Sequence, residues 1–562
     1  MRSAFAVILL FVPALLAGCA GLKDQTRQDQ PKQAVSAAPM SAQARGVSFP
    51  VTTASAAAQA TFDRGLALAY AFNYGLAEKT FRNAAELDPN CAMAWWGVAL
   101  VNGPHINFPK VPPEKARAAW DAVGRARKLA GGLSPKEEAL LAALEKRYVA
   151  QQPDDRRPLD EAYAAAMRDV SKAYPDDVNV STLFAESMMD LRPWDLWTLE
   201  GTPQPGTEEI VATLERAMAL DPRHPGANHL YVHTVEASPR PERAVPAADH
   251  LRDVAPGVGV GTGHLVHMPA HIYARVGRWH DALVANQHAM EADAVYRAEN
   301  PRPGFFALYM LHNMHFYAYA AMMQGRSADA LKAARQMVGS VPPELLTEFA
   351  PVADGYMIFV SEVLMRFGQW EALLAEPAPA EGLPLSRALW HFTRGAAFTA
   401  LNKLDEAEAE RTAFREAAAK VPEEWRFGNS PASNVLAVAA GVLDGEIAAK
   451  RGEFNTAILR LEEAVRIEDQ LRYDEPPDWI QPVRHTLGAV LLRAGRHKGA
   501  ETVYREDLAK YPGNGWSLFG LARALHLQNK PGEAALVERQ FADAWADADM
   551  KMQSSCLCQP GV

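Results

Sequence analysis

Eleven of the sixteen histidines in this 562-residue chain lie between His224 and His315, a window of 92 residues. Inside it, His264, His267 and His271 are three and four residues apart, His229, His233 and Glu236 four and three apart, and His312 and His315 three apart. On a helix such intervals stack side chains along one face. Imidazoles arranged in this way can share a metal ion, as in helix-borne zinc sites, and a carboxylate can complete the shell. Seven imidazoles and one carboxylate exceed a single four-coordinate shell. The full set would hold two ions, or one ion beside histidines free for acid–base work. Imidazole suits Zn, Cu, Fe or Ni without choosing among them. Met268, Met310 and Met314 lie close in sequence and would favour copper if their sulfurs joined the shell, although a helical methionine more often fills a core.

Such a stripe needs helices in register. Beyond residue 55 apolar residues recur at helical spacing and strand-like alternation is scarce, so the body is expected to be all-α. A unit also recurs: a helix, a Gly or Asn turn, then a second helix opening with Ala. It runs from Gly65 through Ala77, Phe81, Ala84 and Pro89. It returns at Gly277 with Ala282, Gly325 with Ala330, Gly368 with Trp370, Asn402 with Ala407, Gly452 with Ala457, Gly495 with Ala500, and Gly532 with Ala534. This resembles the tetratricopeptide repeat (TPR), a helix–turn–helix unit of about 34 residues, over residues 58–546. Insertions break the spacing between Asn107 and Lys146 and between Arg192 and Glu208. The resemblance implies a solenoid whose stacked units enclose a concave wall, about ten units completing a turn. The strings Cys91–Gly97, Leu191–Trp197, His224–His229, His267–Ile272 and Asp474–Trp479 look like a family of exported bacterial TPR proteins without established activity.

Aligning three units on Ala244, Ala282 and Ala330 places His229, His267 and His315 fifteen residues upstream. His233 and His271 lie eleven upstream, His264 and His312 eighteen, and Glu236 eight before Ala244. These offsets span an arc of roughly 80° on one face of three successive first helices. In TPR proteins first helices line the ligand-binding groove, so the eight residues are expected to converge. Glu186 and Asp190 could add carboxylates from the preceding unit, and Arg192, Trp194 and Trp197 could wall the chamber or pack an insertion corner. His250, His280 and His288 fall on second helices and are excluded. His391, His485, His497 and His526 are dispersed, and His105 sits in a loop of undecided reach.

The chain carries 57 Lys+Arg against 67 Asp+Glu, a formal charge of −10, which argues against a nucleic-acid partner. Its start has the form of an export signal: Arg2, an apolar run from Ala4 to Leu16, then Leu16-Ala17-Gly18-Cys19. The last four resemble a lipobox, which implies lipidation at Cys19 and, with Ala20 next, an outer-membrane anchor facing the periplasm. The expected organisation is a signal over 1–18, a flexible Gln/Ala/Ser/Pro-rich tether over 19–55, the TPR superhelix over 56–547 and a tail over 548–562. Cys91 reads as a buried small hydrophobe. Cys556 and Cys558 could capture a soft metal or join a partner by disulfide, but read best as an inert tail. No nucleotide-binding, nucleophile-elbow or H-E-x-x-H motif occurs. The glycines of Pro256–His267 have no strand before them and form a flexible entry to the His-bearing helix. Three readings of the stripe therefore stand: a metal or catalytic chamber, a scaffold groove for a peptide, anionic ligand or envelope partner, and plain packing. Whether the chain is an enzyme stays open.

Overall fold

The computed structural model describes residues 46–559. The signal segment, Cys19 and most of the tether lie outside the described residues, as do residues 560–562. The described body is an all-α TPR solenoid. Paired helices follow one another from Ala56–Tyr70 with Tyr74–Leu87 to Gly515–Leu527 with Pro531–Ala544, and the only named strands among the described residues are Arg426–Phe427 and Ser430–Pro431.

The repeat signature has a direct physical basis. The alanines that open second helices, Ala77, Ala244, Ala282, Ala330, Ala407, Ala457, Ala500 and Ala534, are all fully buried. Without a larger side chain there, the two helices of a unit approach closely. The turns reverse through a left-handed residue: Gly277, Gly325, Gly368, Gly452 and Gly495, with Asn402, Asn529 and Phe72 in the same role. Stacking uses a complementary device. The ring of Phe81 fills the space where Cβ atoms on both Gly65 and Gly97 would stand, and Tyr504 does the same between Gly488 and Gly520. One second-helix aromatic thereby locks two successive first helices.

Both ends close on the middle. From the first unit, Arg64 Nη1 donates to Val258 O at 2.8 Å and Asn73 Nδ2 to Gly261 O at 3.0 Å. The last units are joined by Trp279 Nε1 of the middle, which donates to Pro512 O, and by their own Trp516 Nε1, which donates to Met322 O, each at 2.8 Å. Asp549 accepts from the backbone N–H of Ser327 and Ala328, capping that helix. The central units are therefore covered by chain from both termini.

Two segments flanking the helical repeats are held against them. Val47 and Phe49, assigned to the tether, are buried on the first units, where Phe49 N–H donates to Asp63 and Thr52 to Glu137. The segment after residue 547 is likewise held against the body, with Ser554, Ser555, Cys556, Cys558 and Gln559 buried.

Candidate metal centre

Three consecutive first helices carry the histidines. His229 and His233 lie on Pro225–Val235, and His312 on Phe306–Met323. Between them the middle helix is broken into Gly263–His267 and Pro269–Arg275, because Pro269 has no N–H to continue the ladder. His264 and His267 stand on the first piece and His271 on the second.

The rings gather into two adjoining groups. His267, His271 and His312 point their Nε2 atoms at one another: 2.8 Å from His267 to His271, 3.1 Å from His312 to His267 and 3.5 Å from His312 to His271. Three nitrogens on a tetrahedral zinc shell would stand about 3.3 Å apart, given Zn–N bonds of about 2.0–2.1 Å. His229, His233 and His264 form the second group, each offering a ring nitrogen within 4.8 Å of the others. The groups abut, with ring centroids of His264 and His267, and of His233 and His271, 5.7 Å apart.

What holds the far nitrogens decides the tautomers. His229 Nδ1–H donates to Tyr70 O at 2.6 Å and His233 Nδ1–H to Glu236 Oε1 at 2.7 Å. His267 Nδ1–H donates to Asn286 Oδ1 at 2.7 Å, and Asn286 Nδ2 donates to Ala282 O, which fixes the amide with its oxygen towards the ring. His271 Nδ1 lies 2.6 Å from Glu236 Oε2 at a skewed angle. A carbonyl or carboxylate oxygen only accepts, so the hydrogen-bonded Nδ1 atoms of His229, His233 and His267 carry a proton, and in the neutral ring their Nε2 atoms keep the lone pair. The Nε2 atoms of His229 and His233 and both ring nitrogens of His264 have no protein partner. Burial holds His229, His264, His267 and His312 well below the ordinary histidine range, and neighbouring imidazoles push each further down. Burial alone would raise Glu236, but His271 and His233 beside it keep its carboxyl well below the usual carboxylate range.

Two sequence-assigned ligands sit elsewhere. Glu236 is placed behind the rings rather than among the donors: its two oxygens face His233 and His271, one from each group, and Tyr473 OH donates to Oε2 at 3.3 Å. His315 is in neither group. Three residues beyond His312 turn it by about 60° on the helix, and its ring meets Phe359 and Tyr356 of the next unit at 4.5 and 5.4 Å. Met268, Met310 and Met314 are buried in the hydrophobic core. Glu186 accepts from Tyr74 OH at 2.6 Å and Asp190 pairs with the buried Arg147, so both belong to a neighbouring polar network. His105 is buried against Tyr74 and Phe72 and takes a place behind Phe72.

The most informative residue that sequence reasoning passed over is Phe72. It occupies the left-handed turn position usually held by glycine, at a φ of 56°, which costs roughly 1–3 kcal/mol for such a residue. Its ring lies over His229, His233 and His264 with centroids 4.5, 5.9 and 5.5 Å away. A Phe where the repeat expects Gly or Asn was the available signal. Beside the groups a cleft of about 500 Å³ reaches His233 and Glu236, walled by Trp194, Trp197, Arg275 and Tyr473.

Comparison with protein-family models and with curated proteins returns no match. Among solved structures, similarity extends to the human IFIT1 dimer with PPP-AAAA, at 14% identity and a TM-score of 0.32 over 87% of this chain and 91% of that one. It extends also to the APC/C hetero-tetramer Cut9–Hcn1, at 13% identity and a TM-score of 0.27 over 87% and 74%. The fold assignment itself rests on the helix pairs, buried alanines and left-handed turns described above.

Proposed function

We propose that this protein is an envelope lipoprotein whose closed TPR body binds up to two transition-metal ions in its central histidine chamber. His267, His271 and His312 hold the first; His229, His233 and His264 hold the second. The observation that carries this reading is the convergence of two sets of three ring nitrogens, with the Nδ1–H of His229, His233 and His267 tied down behind the rings. Donating the remote N–H to a carboxylate, carbonyl or amide oxygen is how ligating histidines are oriented and made more basic. The Nε2 of His267, whose proton sits on Nδ1, faces two further imidazole nitrogens within 3.1 Å, an arrangement that a positive ion among them would favour. Glu236, hydrogen-bonded to His233 and 2.6 Å from His271, would couple the two ions electrostatically. Zn, Cu and Fe are the candidates that all-imidazole shells suit.

The cleft at His233 gives a route for a small ligand or a partner's peptide to the chamber wall. On its lining Arg472 and Lys510 pair with Asp195 and Asp469, whereas Arg275 keeps Nε unpartnered and suits an anionic group, which is the specific ground for a scaffold reading in which the groove grips an envelope partner. Lipidation at Cys19 would tether the body to the outer membrane on its periplasmic side.

The test is elemental analysis of the full-length chain purified without chelator or affinity tag, beside a His267→Ala/His271→Ala variant. Near-stoichiometric metal in the parent and loss of one equivalent in the variant are expected. Absence of metal in the parent after reconstitution with Zn, Cu and Fe would transfer the assignment to the partner-binding groove.

A further inference from the structure

The C-terminal segment after residue 550 forms no helix, yet it is fixed to the body by side chains. Ser555 Oγ donates to His485 O at 2.8 Å and lies 2.7 Å from Tyr504 OH, and Leu557 lies against Gly368. Gln559 Nε2 reaches Glu446 O at 3.5 Å and its Oε1 accepts from Arg493. Strapped down in this way, the segment delivers Cys556 and Cys558 to the interior, where both are almost fully buried.

They meet a carboxylate that the fold otherwise leaves without purpose. Glu446 stands near the end of helix Ala432–Lys450, among Val, Leu, Ala and Ile, and is itself buried. Cys556 Sγ lies 3.7 Å from Glu446 Oε1, and the two sulfurs and one carboxylate oxygen fall within 4.8 Å of one another. Glu446 Oε2 has no partner. Gln481 places Nε2 3.8 Å from Cys556 Sγ and leaves its Oε1 unpartnered and buried. A buried carboxylate with a free oxygen is costly unless it is paired or bound to a cation.

We propose that Glu446, Cys556 and Cys558 form a zinc site separate from the histidine chamber, with Gln481 as fourth donor once its amide turns over to present oxygen in place of the nitrogen that now faces Cys556. On binding, each thiol releases its proton to solvent, as does the Glu446 carboxyl, which burial favours in its neutral form, and two Zn–S bonds and two Zn–O bonds, to Glu446 and Gln481, replace the ion's bonds to water without any change of oxidation state. The two thiolates and the carboxylate carry three negative charges. A divalent ion and the guanidinium of Arg366 balance them. Arg366 is buried nearby, over Trp516 at 3.6 Å and 2.9 Å from His485 Nδ1. This balance and the hard carboxylate donor select Zn(II) over Cu(I), which thiolates alone would favour. The site would act as a clasp: the segment that supplies its sulfurs is the one that covers the inner face of the C-terminal units.

The experiment uses the full-length chain, reduced with a non-thiol reductant and loaded with cobalt(II) or zinc, beside Cys556→Ser/Cys558→Ser and Glu446→Gln. Expected are a thiolate-to-cobalt charge-transfer band in the parent, its loss in the cysteine variant, and zinc binding weakened by more than about tenfold in Glu446→Gln. The His267→Ala/His271→Ala variant should keep the band, which separates failure of this proposal from failure of the histidine reading. Circular dichroism establishes that each variant is folded. No band in the folded, reduced parent would overturn the assignment. So would an intact mass short of two hydrogens that persists after reduction, since a Cys556–Cys558 disulfide would then occupy the sulfurs.

Discussion

The units at 483–544 and those at 225–340 are built on the same helix pair, but their inner surfaces differ in kind. Near the C-terminus, glycines at 488 and 520 receive the ring of Tyr504, and the first helix Val483–Arg493 buries mostly apolar residues together with His485, both of whose ring nitrogens have partners in Arg366 and Asp507. In the central units the matched wall carries imidazoles, and its polar groups are buried too. Burying apolar surface stabilises a helix stack at roughly 25 cal/mol per Å². Burying neutral histidine rings with unpartnered nitrogens does not, because each lost hydrogen bond to water costs about 1–3 kcal/mol. The repeat scaffold therefore supplies stability through its Ala and Gly–aromatic contacts, and the central units draw on it to hold a wall that is unfavourable by itself.

Substitution on the two sides of that division should separate the properties. The largest effect is expected at the scaffold. Phe81 is fully buried, packs against Phe62 with the rings tilted by 56° and their centroids 5.3 Å apart, and contacts Gly65 and Gly97. Phe81→Ala should destabilise the body by about 3–5 kcal/mol in a denaturant titration, while the metal content of the fraction that stays folded should not change. Metal loss from the folded fraction would mean that scaffold and chamber are not separable.

The next effect lies behind the ligands. Glu236→Gln keeps the shape of the side chain but can accept through only one oxygen and offers a donor where His233 and His271 each need an acceptor. Loss of such outer hydrogen bonds typically lowers metal affinity 10–100-fold, and both groups should weaken together because both lean on the one carboxylate. Competition with a chromogenic chelator would measure this. Weakening of one group alone would break the claim that Glu236 joins them.

That role could not be read from spacing. Equal offsets put Glu236 and the histidines on one stripe, and a stripe does not distinguish a donor from the group that orients it. The helical repeat itself was legible, because alanines and turn residues recur in step and each has a local steric reason. The convergence of six histidines followed from that register. His315 did not, since the position fifteen residues before the reference alanine faces the neighbouring group from the broken helix Gly263–Arg275 but faces forward from the continuous helix Phe306–Met323. Tyr70 and Asn286 were invisible for another reason: one arrives from the N-terminal unit through closure of the superhelix, the other from a second helix, while Phe72 left only its unusual place in a turn as a sign. The burial of Cys556 and Cys558 was hidden likewise, because their segment has no periodicity of its own and is shaped by the side chains it meets.

The smallest expected effect follows from the placement of His315 among aromatic rings. Burial pushes its imidazole down to about 3, whereas an unfolded chain titrates near 6.5. Above about pH 6.5 both states are neutral and His315 leaves stability unchanged. As pH falls from there towards 3 the unfolded chain takes up a proton that the folded one refuses, so stability declines with acidification. Between pH 6.5 and 5.5 this amounts to about 1 kcal/mol. His315→Phe retains a ring against Phe359 and removes the proton, so its unfolding free energy should depend less steeply on pH over that interval, by up to about one proton per chain. His105 and His224, held at about 3 and 4 by burial, keep their own contributions in both proteins. An unchanged slope in His315→Phe would mean that His315 is accessible to protons in the folded state, and its exclusion from the metal groups would then need re-examination. A reduced slope with unaltered metal content would place His315 with the scaffold, on the side of the division that holds the chamber rather than the side that binds.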